Sequence, residues 1–410
     1  MHILFLTDNF PPEVNAPASR TFEHCREWVK AGHQVTVITG VPNFPKGNVF
    51  EGYKNRFWQK EVVAGIQVIR VWTYVSANEG FVRRTLDYLS YMVTGFLASL
   101  FVRRVDVVVG TSPQFFTVCA AYMTSLFKRV PWVFELRDIW PESIRVVGAM
   151  KQSRLLDLLE NVELFLYRKA SAIVSVTHAF RTSLIKRGVS GDKIHVVTNG
   201  VDIGHFLPRG KDAELVQRHN LQDKFVAGYI GTHGLAHALD TILDAAKTLK
   251  YAADENQFRF ILLGDGANKA VLRQRALAEG LDNVIFVDSV SKDQVVQYWS
   301  ILDASIIHLK RDELFTTVIP SKLFECMGMA VPVLHGVQGE SADIVVSEEV
   351  GLLFEPESSD ALIQGLRRMA NDQQMRNRFK ANGPISAKNY DRVVLAKSML
   401  EIIEKLSNKS

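Results

Sequence analysis

Three cysteines in 410 residues, Cys25, Cys119 and Cys326, stand far apart in apolar sequence. None has the spacing of a zinc site or a redox pair, so they read as buried thiols of a reducing compartment. The stretch Asp8 to Arg20, which follows the first apolar run, contains no glycine. That excludes the usual NAD or FAD fingerprint at this turn. There is no close set of His, Asp, Glu and Cys with metal-ligand spacing, no Asp-x-Asp at a strand end and no Ser-His-Asp motif. No apolar run reaches the roughly twenty residues of a bilayer span. The N-terminus lacks the basic start and long apolar run of a signal peptide. Aromatics are not interleaved with basic runs, which argues against nucleic acid as a partner. What is left is a cytoplasmic protein with no resident cofactor or metal. Its chemistry must rest on positioning and on electrostatic stabilisation of a leaving group.

What the chain does have is β-branched runs alternating with helical periodicity from end to end. Strands are expected at 2–7, 34–39, 67–72, 106–110, 131–136, 172–176 and 194–197, then at 226–230, 259–263, 284–287, 304–307 and 331–334. Such alternation gives parallel sheets covered by helices. The register restarts near Phe225, and Asn199-Gly200 with Pro208-Arg209-Gly210 supplies linker chemistry. Two doubly wound, Rossmann-like α/β domains are therefore expected, facing each other across a cleft at the carboxyl ends of their strands. Their boundaries fall at 1–203, with 393–410 returning to the first domain, and at 204–392.

The net charge of +4 is uneven: residues 1–203 hold 24 Lys and Arg against 17 Asp and Glu, so they carry +7 and the remainder −3. The basic half also contains FVRRTLDYLSYMVTGFLASLFVRR, residues 81–104, whose uncharged centre is flanked by Arg83, Arg84, Arg103 and Arg104. It reads as a helix lying in a membrane interface, with the arginines at headgroup level, or as a buried helix of the first domain.

Residues 320–335, PSKLFECMGMAVPVLH, open a helix at about Ser321 with an apolar face of Leu323, Phe324, Met327 and Met329. Its first turn and Lys322 form an anion site, and Glu325 shares that face one turn on. Diphosphate at the tip and ribose hydroxyls donating to Glu325 describe a nucleotide; a capped, solvated helix is the plain alternative.

Arg137, Asp138 and Trp140 follow the expected strand 131–136. They stand at its carboxyl edge, either as phosphate and sugar contacts or as a salt bridge. Arg20 either reaches the same space or lies on the surface. Gly231-Thr232-His233-Gly234 ends the second domain's first strand. There His233 either touches a diphosphate or is structural. Gly264 and Gly266 either admit a nucleotide or answer a turn's geometry. Lys310 with Arg311 is a phosphate contact or an exposed basic pair.

The motifs PPE at 11–13, AGHQVTVITG at 31–40, VTNGVDIGHF at 197–206, YIGTHG at 229–234, LLGDG at 262–266, PSKLFECMGMAVPVL at 320–334 and GLLFEPESSDAL at 351–362 span nearly the whole chain. Together they resemble the large fourth family of retaining GT-B glycosyltransferases. PPE-x-x-APASR, ELRDIWPES and PSKLFE are most similar to its bacterial O-antigen, capsule and exopolysaccharide branch, which includes proposed N-acetylfucosamine transferases. The resemblance implies a nucleotide-sugar donor, with UDP the expected nucleotide, and a polyprenyl-diphosphate-linked glycan as acceptor at the inner face of the cytoplasmic membrane. It also implies a metal-independent retaining reaction and a last helix, 393–406, that crosses back to the first domain. By residue, it implies Glu325 on the donor ribose, the Ser321 tip on the diphosphate, and Arg137 where relatives place a donor-contacting His.

The chain departs from the pattern in three places. Thr317 stands where relatives carry a Glu that contacts the donor sugar, Asn15 and Ala16 replace paired glycines, and His233 and Ala236 stand near the place of a usual Arg and Lys. The diphosphate contacts then fall to Arg137, Lys310 and Lys322. Two alternatives stay open: a nucleotide-sugar 2-epimerase, which shares this two-domain architecture, and a membrane-bound nucleotide sensor that binds UDP without turning it over.

Overall fold

Short β-branched runs buried on both faces build two separate sheets in this protein, whose computed structural model describes residues 1–44, 47–75, 81–139, 154–252 and 257–407. The strands are β1 (His2–Leu6), β2 (Gln34–Gly40), β3 (Gln59–Val63), β4 (Ile66–Val71), β5 (Val107–Thr111), β6 (Trp132–Leu136), β7 (Ala172–Ser175) and β8 (Ile194–Val196), then β9 (Phe225–Ile230), β10 (Phe258–Leu263), β11 (Val284–Val287), β12 (Ala304–His308), β13 (Val333–Gly336) and β14 (Gly351–Leu353). The first sheet runs β3-β4-β2-β1-β5-β6-β7-β8 and the second β11-β10-β9-β12-β13-β14. Every expected strand is present to within a residue or two.

Two strands escape the apolar-run criterion. β3, QKEVV, lies on a sheet edge and alternates half-buried with exposed residues, so it never forms an apolar run. It pairs antiparallel with β4 through Ala64-Gly65, both at positive φ, the backbone of a two-residue hairpin turn. β14 has only three residues on the opposite edge of the second sheet.

The chain divides into one unit of Met1–Thr198 with Arg392–Ser410 and another of Asn199–Asp391. In the first unit the Arg392–Ser407 helix packs against the Ala16–Lys30 helix. Leu395, Ala396, Met399, Leu400 and Ile403 join Trp28 and Phe5 in one core, and Trp28 Nε1 donates to the Ala396 carbonyl at 2.8 Å. Truncating a tryptophan buried in this way costs about 3–5 kcal/mol, so the returning helix is part of the first unit's stability.

Both sheets carry a switch in strand order. The first unit starts at β1, builds outward to β2 and β4, then resumes on the other side of β1 with β5. The second starts at β9, builds to β10 and β11, then resumes beside β9 with β12. The carboxyl ends next to such a switch are where open α/β sheets bind ligands.

Candidate functional site

In the second unit, the turns leaving β9 and β10 lock together at the switch. The Gly231 N–H donates to the Leu263 carbonyl at 2.9 Å, His233 N–H to the Asp265 carbonyl at 2.8 Å, and Asn268 N–H to the His233 carbonyl at 2.9 Å. Gly264 and Gly266 have φ of +143° and +156°. A Cβ on the first would stand 1.9 Å from the Gly231 oxygen, and on the second 2.6 Å from that of His233. Packing of turn on turn is thus a sufficient reason for both glycines. Lys269 completes the joint from a buried position, donating to the Gly264 carbonyl at 2.7 Å and pairing with Asp288.

Against this joint lies the Lys322–Gly328 helix, whose Leu323, Phe324, Cys326 and Met327 are buried in the second unit's core. Ser321, a residue type that commonly caps a helix from its N-terminal end, does not do so here. Its backbone is helical at φ −59° and ψ −26°, its hydroxyl makes no capping bond, and the Leu323 and Phe324 amides bond to the Pro320 and Ser321 carbonyls. With only seven residues in the helix its dipole is weak, and those two bonds leave the tip few open amides. The anion-binding argument therefore passes to Lys322.

The Lys322 ammonium sits 3.7 Å from the ring centroid of Tyr229, the fifth residue of β9. A Cβ on Gly231 would come within 2.7 Å of Lys322 Nζ, so the bare Cα there makes room for the ammonium. Tyr229 Oη donates to the Thr232 carbonyl at 2.8 Å and so fixes both ring and turn. Among the described residues Lys322 has no hydrogen bond or ion pair. Burial pulls its pKa down to about 7, against the opposing pull of Cys326 and Glu325.

Neutral imidazoles surround it. Burial, reinforced by Lys269 and Lys322, pushes His233 down to about 4, and both its ring nitrogens lack a partner. Burial and Lys322 push His237 to about 3. A half-buried lysine whose ammonium has no ion pair among the described residues, ringed by imidazoles that stay neutral, is poised for an anion. Glu325 is half-buried one turn further along the same helix.

The other expected donor contacts lie around the end of β12. Lys310 is exposed, with its amide bonded to the Ala236 carbonyl, and Arg311 is paired with Glu355 at 2.6 Å. Thr317 ends a short 3₁₀ turn and its hydroxyl donates to the Leu314 carbonyl at 2.6 Å.

In the first unit, Arg137 follows β6. Its amide and that of Asp138 both donate to Ser112 Oγ, at 2.8 and 3.3 Å. Glu135, inside the strand, accepts from Arg20 Nε at 2.9 Å, while the other two Arg20 nitrogens donate to the Thr198 and Val197 carbonyls. Arg20 is therefore a buried tie between the first helix, β6 and the chain after β8, with all three of its nitrogens engaged. Arg392 pairs with Glu23. With Glu135 taken by Arg20 and Glu23 by Arg392, Arg137 is left with its Nε and Nη1 buried and without a partner among the described residues. Burial brings its pKa down to about 10, with Glu135 opposing, so it stays charged at neutral pH. Asp138 is half-buried, and Trp140 lies outside the described residues.

Sequence reasoning missed a group of acids on the same rim. Asp8, directly after β1, is held well above the usual carboxylate range by burial, Asp87 and Glu13. Asp87, on the Phe81–Leu100 helix, is raised to about 7 by burial and Glu13. The one signal for Asp8 was its place at a strand's carboxyl end. Tyr229 gave none, because an aromatic inside a strand reads as core.

Both readings of the 81–104 segment find support in the geometry. One stripe of the Phe81–Leu100 helix is core, with Tyr91 Oη donating to the Ile38 carbonyl at 2.7 Å and Ser99 bonded to Thr124. The opposite stripe, Leu86, Val93 and Leu97 with Phe101 beyond it, is exposed, and Trp58 stands edge-on to Phe101 at 5.9 Å. Arg83, Arg84, Arg103 and Arg104 are all exposed at its ends. Among the described residues no helix is long and apolar enough to cross a membrane.

Two protein-family models match the chain: a glycosyl transferase 4-like domain over residues 15–200 and glycosyl transferases group 1 over residues 211–385. WcaI of Escherichia coli K12, named as a candidate glycosyl transferase of colanic acid biosynthesis, is 25% identical over 90% of this chain and 92% of its own. The N-acetylgalactosamine-N,N'-diacetylbacillosaminyl-diphospho-undecaprenol 4-alpha-N-acetylgalactosaminyltransferase of Campylobacter jejuni is 24% identical over 58% of this chain and 61% of its own. Among solved structures, HepE of Anabaena in complex with UDP-glucose superposes with a TM-score of 0.71 at 19% identity, covering 99% of this chain and 100% of that one.

Proposed function

The chain belongs to the group 1 glycosyltransferases of the fourth family, GT-B enzymes that retain anomeric configuration without a metal ion, and we propose that it transfers a sugar from UDP to a polyprenyl-diphosphate-linked glycan of bacterial surface polysaccharide. The observation that carries the proposal is the unpaired Lys322 ammonium at the carboxyl end of β9, where the strand order switches. UDP as nucleotide is supported by the UDP-glucose complex of HepE, and the lipid-linked acceptor by the undecaprenol in the Campylobacter enzyme's name. The donor sugar is proposed only as a UDP-sugar, without extension to N-acetylfucosamine.

In this reading the second unit holds the donor. Glu325 accepts from the ribose hydroxyls and Lys322 pairs with the diphosphate, with Ser321, Gly231, His233, Lys310 and Thr317 around them. The acceptor oxygen bonds to the anomeric carbon on the face the leaving group departs from, the bond from that carbon to the phosphate oxygen breaks, and the acceptor proton passes to the departing diphosphate. Negative charge grows on that diphosphate, and a preorganised cation that meets it lowers the barrier. Arg137, charged and with two nitrogens open, serves that growing charge. The first unit takes the acceptor. The exposed Leu86, Val93, Leu97 and Phe101 stripe, with arginine pairs at both ends, rests on the anionic inner leaflet.

A panel of UDP- and GDP-sugars in a thermal-shift measurement tests the donor. A ligand at 100 times its Kd adds about 2.7 kcal/mol of stability. NMR of the product's anomeric centre and a turnover assay in EDTA then test the reaction. An inverted product, or release of free epimerised sugar nucleotide without acceptor, would overturn it. For the membrane, replacing Arg83, Arg84, Arg103 and Arg104 with Gln weakens binding to anionic vesicles by about 1 kcal/mol per residue at low salt. Binding indifferent to salt and to these changes refutes the membrane reading alone.

A further inference from the structure

The site has an unusual construction. Its cation is not held by a carboxylate, as a buried lysine ordinarily is, but rests on an aromatic face inside the strand that leads to the site. We infer that Tyr229 is a positioning residue of the phosphate site: its ring face, with the bare Cα of Gly231 beside it, holds the Lys322 ammonium in place for a nucleoside diphosphate. The inference rests on the UDP-sugar reading of the same site. It would account for how the site works without the Arg and Lys that relatives carry after this strand.

Three observations support it. The ammonium is 3.7 Å from the ring centroid, well inside the roughly 6 Å over which a ring quadrupole attracts a cation. The ring cannot swing away, because Tyr229 is fully buried and its hydroxyl is anchored on the Thr232 carbonyl. A side chain at residue 231 would collide with Lys322 Nζ, so the glycine is matched to the lysine.

The arrangement makes the charge of the site depend on pH. The groups around Lys322 are Glu325 and Cys326 on its own helix and His233 and His237 on the turn after β9, with Lys269 beyond His233 and His308 beyond His237. Burial pushes the Cys326 thiol up to about 12, while the three imidazoles titrate at about 3 to 4. The thiol and the three imidazoles do not change state between pH 6 and 8, whereas Lys322, at about 7, does. A diphosphate binds the protonated amine, so affinity is highest below pH 7 and falls as the pH rises through it. The ring favours the charged form. Removing it lowers the Lys322 pKa further and moves that fall to lower pH.

The test is UDP affinity of the full chain by calorimetry at pH 6 and pH 8, each variant compared with wild type under the same conditions so that titration of UDP itself cancels. Tyr229→Leu is expected to lose about tenfold at pH 8, shrinking to about twofold at pH 6. Tyr229→Phe, which keeps the ring and loses the hydroxyl, stays within about threefold of wild type at both pH values. Lys322→Arg, charged throughout, binds UDP with no fall across this window. An equal loss at both pH values in Tyr229→Leu, or a Phe variant as weak as Leu, overturns the positioning role. If Tyr229→Leu fails to fold, Tyr229→Phe and Lys322→Arg still decide: a Phe variant that loses tenfold, or an Arg variant that keeps the wild-type fall, overturns it. Wild-type protein that binds no UDP overturns the donor reading as well.

Discussion

At the carboxyl rim of the first sheet, burial weighs on carboxylic acids: Asp8 and Asp87 are pushed towards their neutral forms with Arg84 opposing, while Arg137, after β6 on the same rim, has two buried nitrogens without a partner. At the rim of the second it weighs on bases: His233 and His237 are neutral, beside one unpaired ammonium, Lys322. Each rim thus carries groups held towards their neutral forms and a cation that has no ion-pair partner among the described residues. The cations differ. Burial takes Arg137 only to about 10, so its charge is permanent at neutral pH, while Lys322 at about 7 is charged only in part. A permanent charge suits a transition state that must be met at every turnover. A charge that ligand binding completes suits a seat that fills and empties.

The two rims should differ most at Arg137. Removing one preorganised donor from a developing oxyanion costs about 100- to 1,000-fold in turnover. Arg137→Ala is expected to lower kcat by about that factor while UDP affinity stays within about threefold. Steady-state kinetics beside UDP calorimetry separates the two. If affinity falls as far as turnover, Arg137 binds the ground state and the contrast between a turnover cation and a binding cation is lost.

Glu325→Gln tests the second rim with a smaller effect. It keeps the shape but removes the charged acceptor for two ribose hydroxyls, so UDP affinity should drop by about 1.5–3 kcal/mol while the melting curve stays cooperative. Normal UDP binding would assign Glu325 to the helix alone and leave Lys322 as the rim's one ligand group.

How much of this was legible before folding differs between fold and site. Strands such as Phe225–Ile230 and Val107–Thr111 are buried along their whole length, so apolar runs revealed them, while the edge strand Gln59–Val63 shows only half a pattern. The Lys322 helix was visible from Pro320 and its apolar spacing, but not that Ser321 would fail to cap it, because a cap depends on one backbone angle. Arg20 and Arg137 look alike in sequence. Only the fold brings two carbonyls from residues 197 and 198 to Arg20 and leaves Arg137 with two open nitrogens. Charge state is a property of neighbours distant in the chain, and no local pattern encodes it.

The smallest expected effect concerns the acids of the first rim, and its sign follows from linkage. Asp87 keeps its proton in the folded protein up to about pH 7, raised by burial and then by Glu13, with Arg84 opposing, whereas unfolded it would lose it near pH 4. Between those values the folded state binds more protons than the unfolded one, so this group's contribution to stability falls as pH rises from about 4 to about 7 and is least favourable above that. Asp87→Asn removes the titration and should leave stability near pH 4 almost unchanged. At pH 8 it should gain about 1–2 kcal/mol, after allowance for the side chain's partial contact with water, or a few degrees in Tm for a unit of this size. Asp8 shares the effect, because Asp87 is the second-largest cause of its own raised pKa. The check is a pair of melting curves for wild type and variant at pH 5 and pH 8. A gain that is the same at both would mean that Asp87 carries its charge throughout, and the first rim would then differ from the second in holding paired charges rather than neutralised ones.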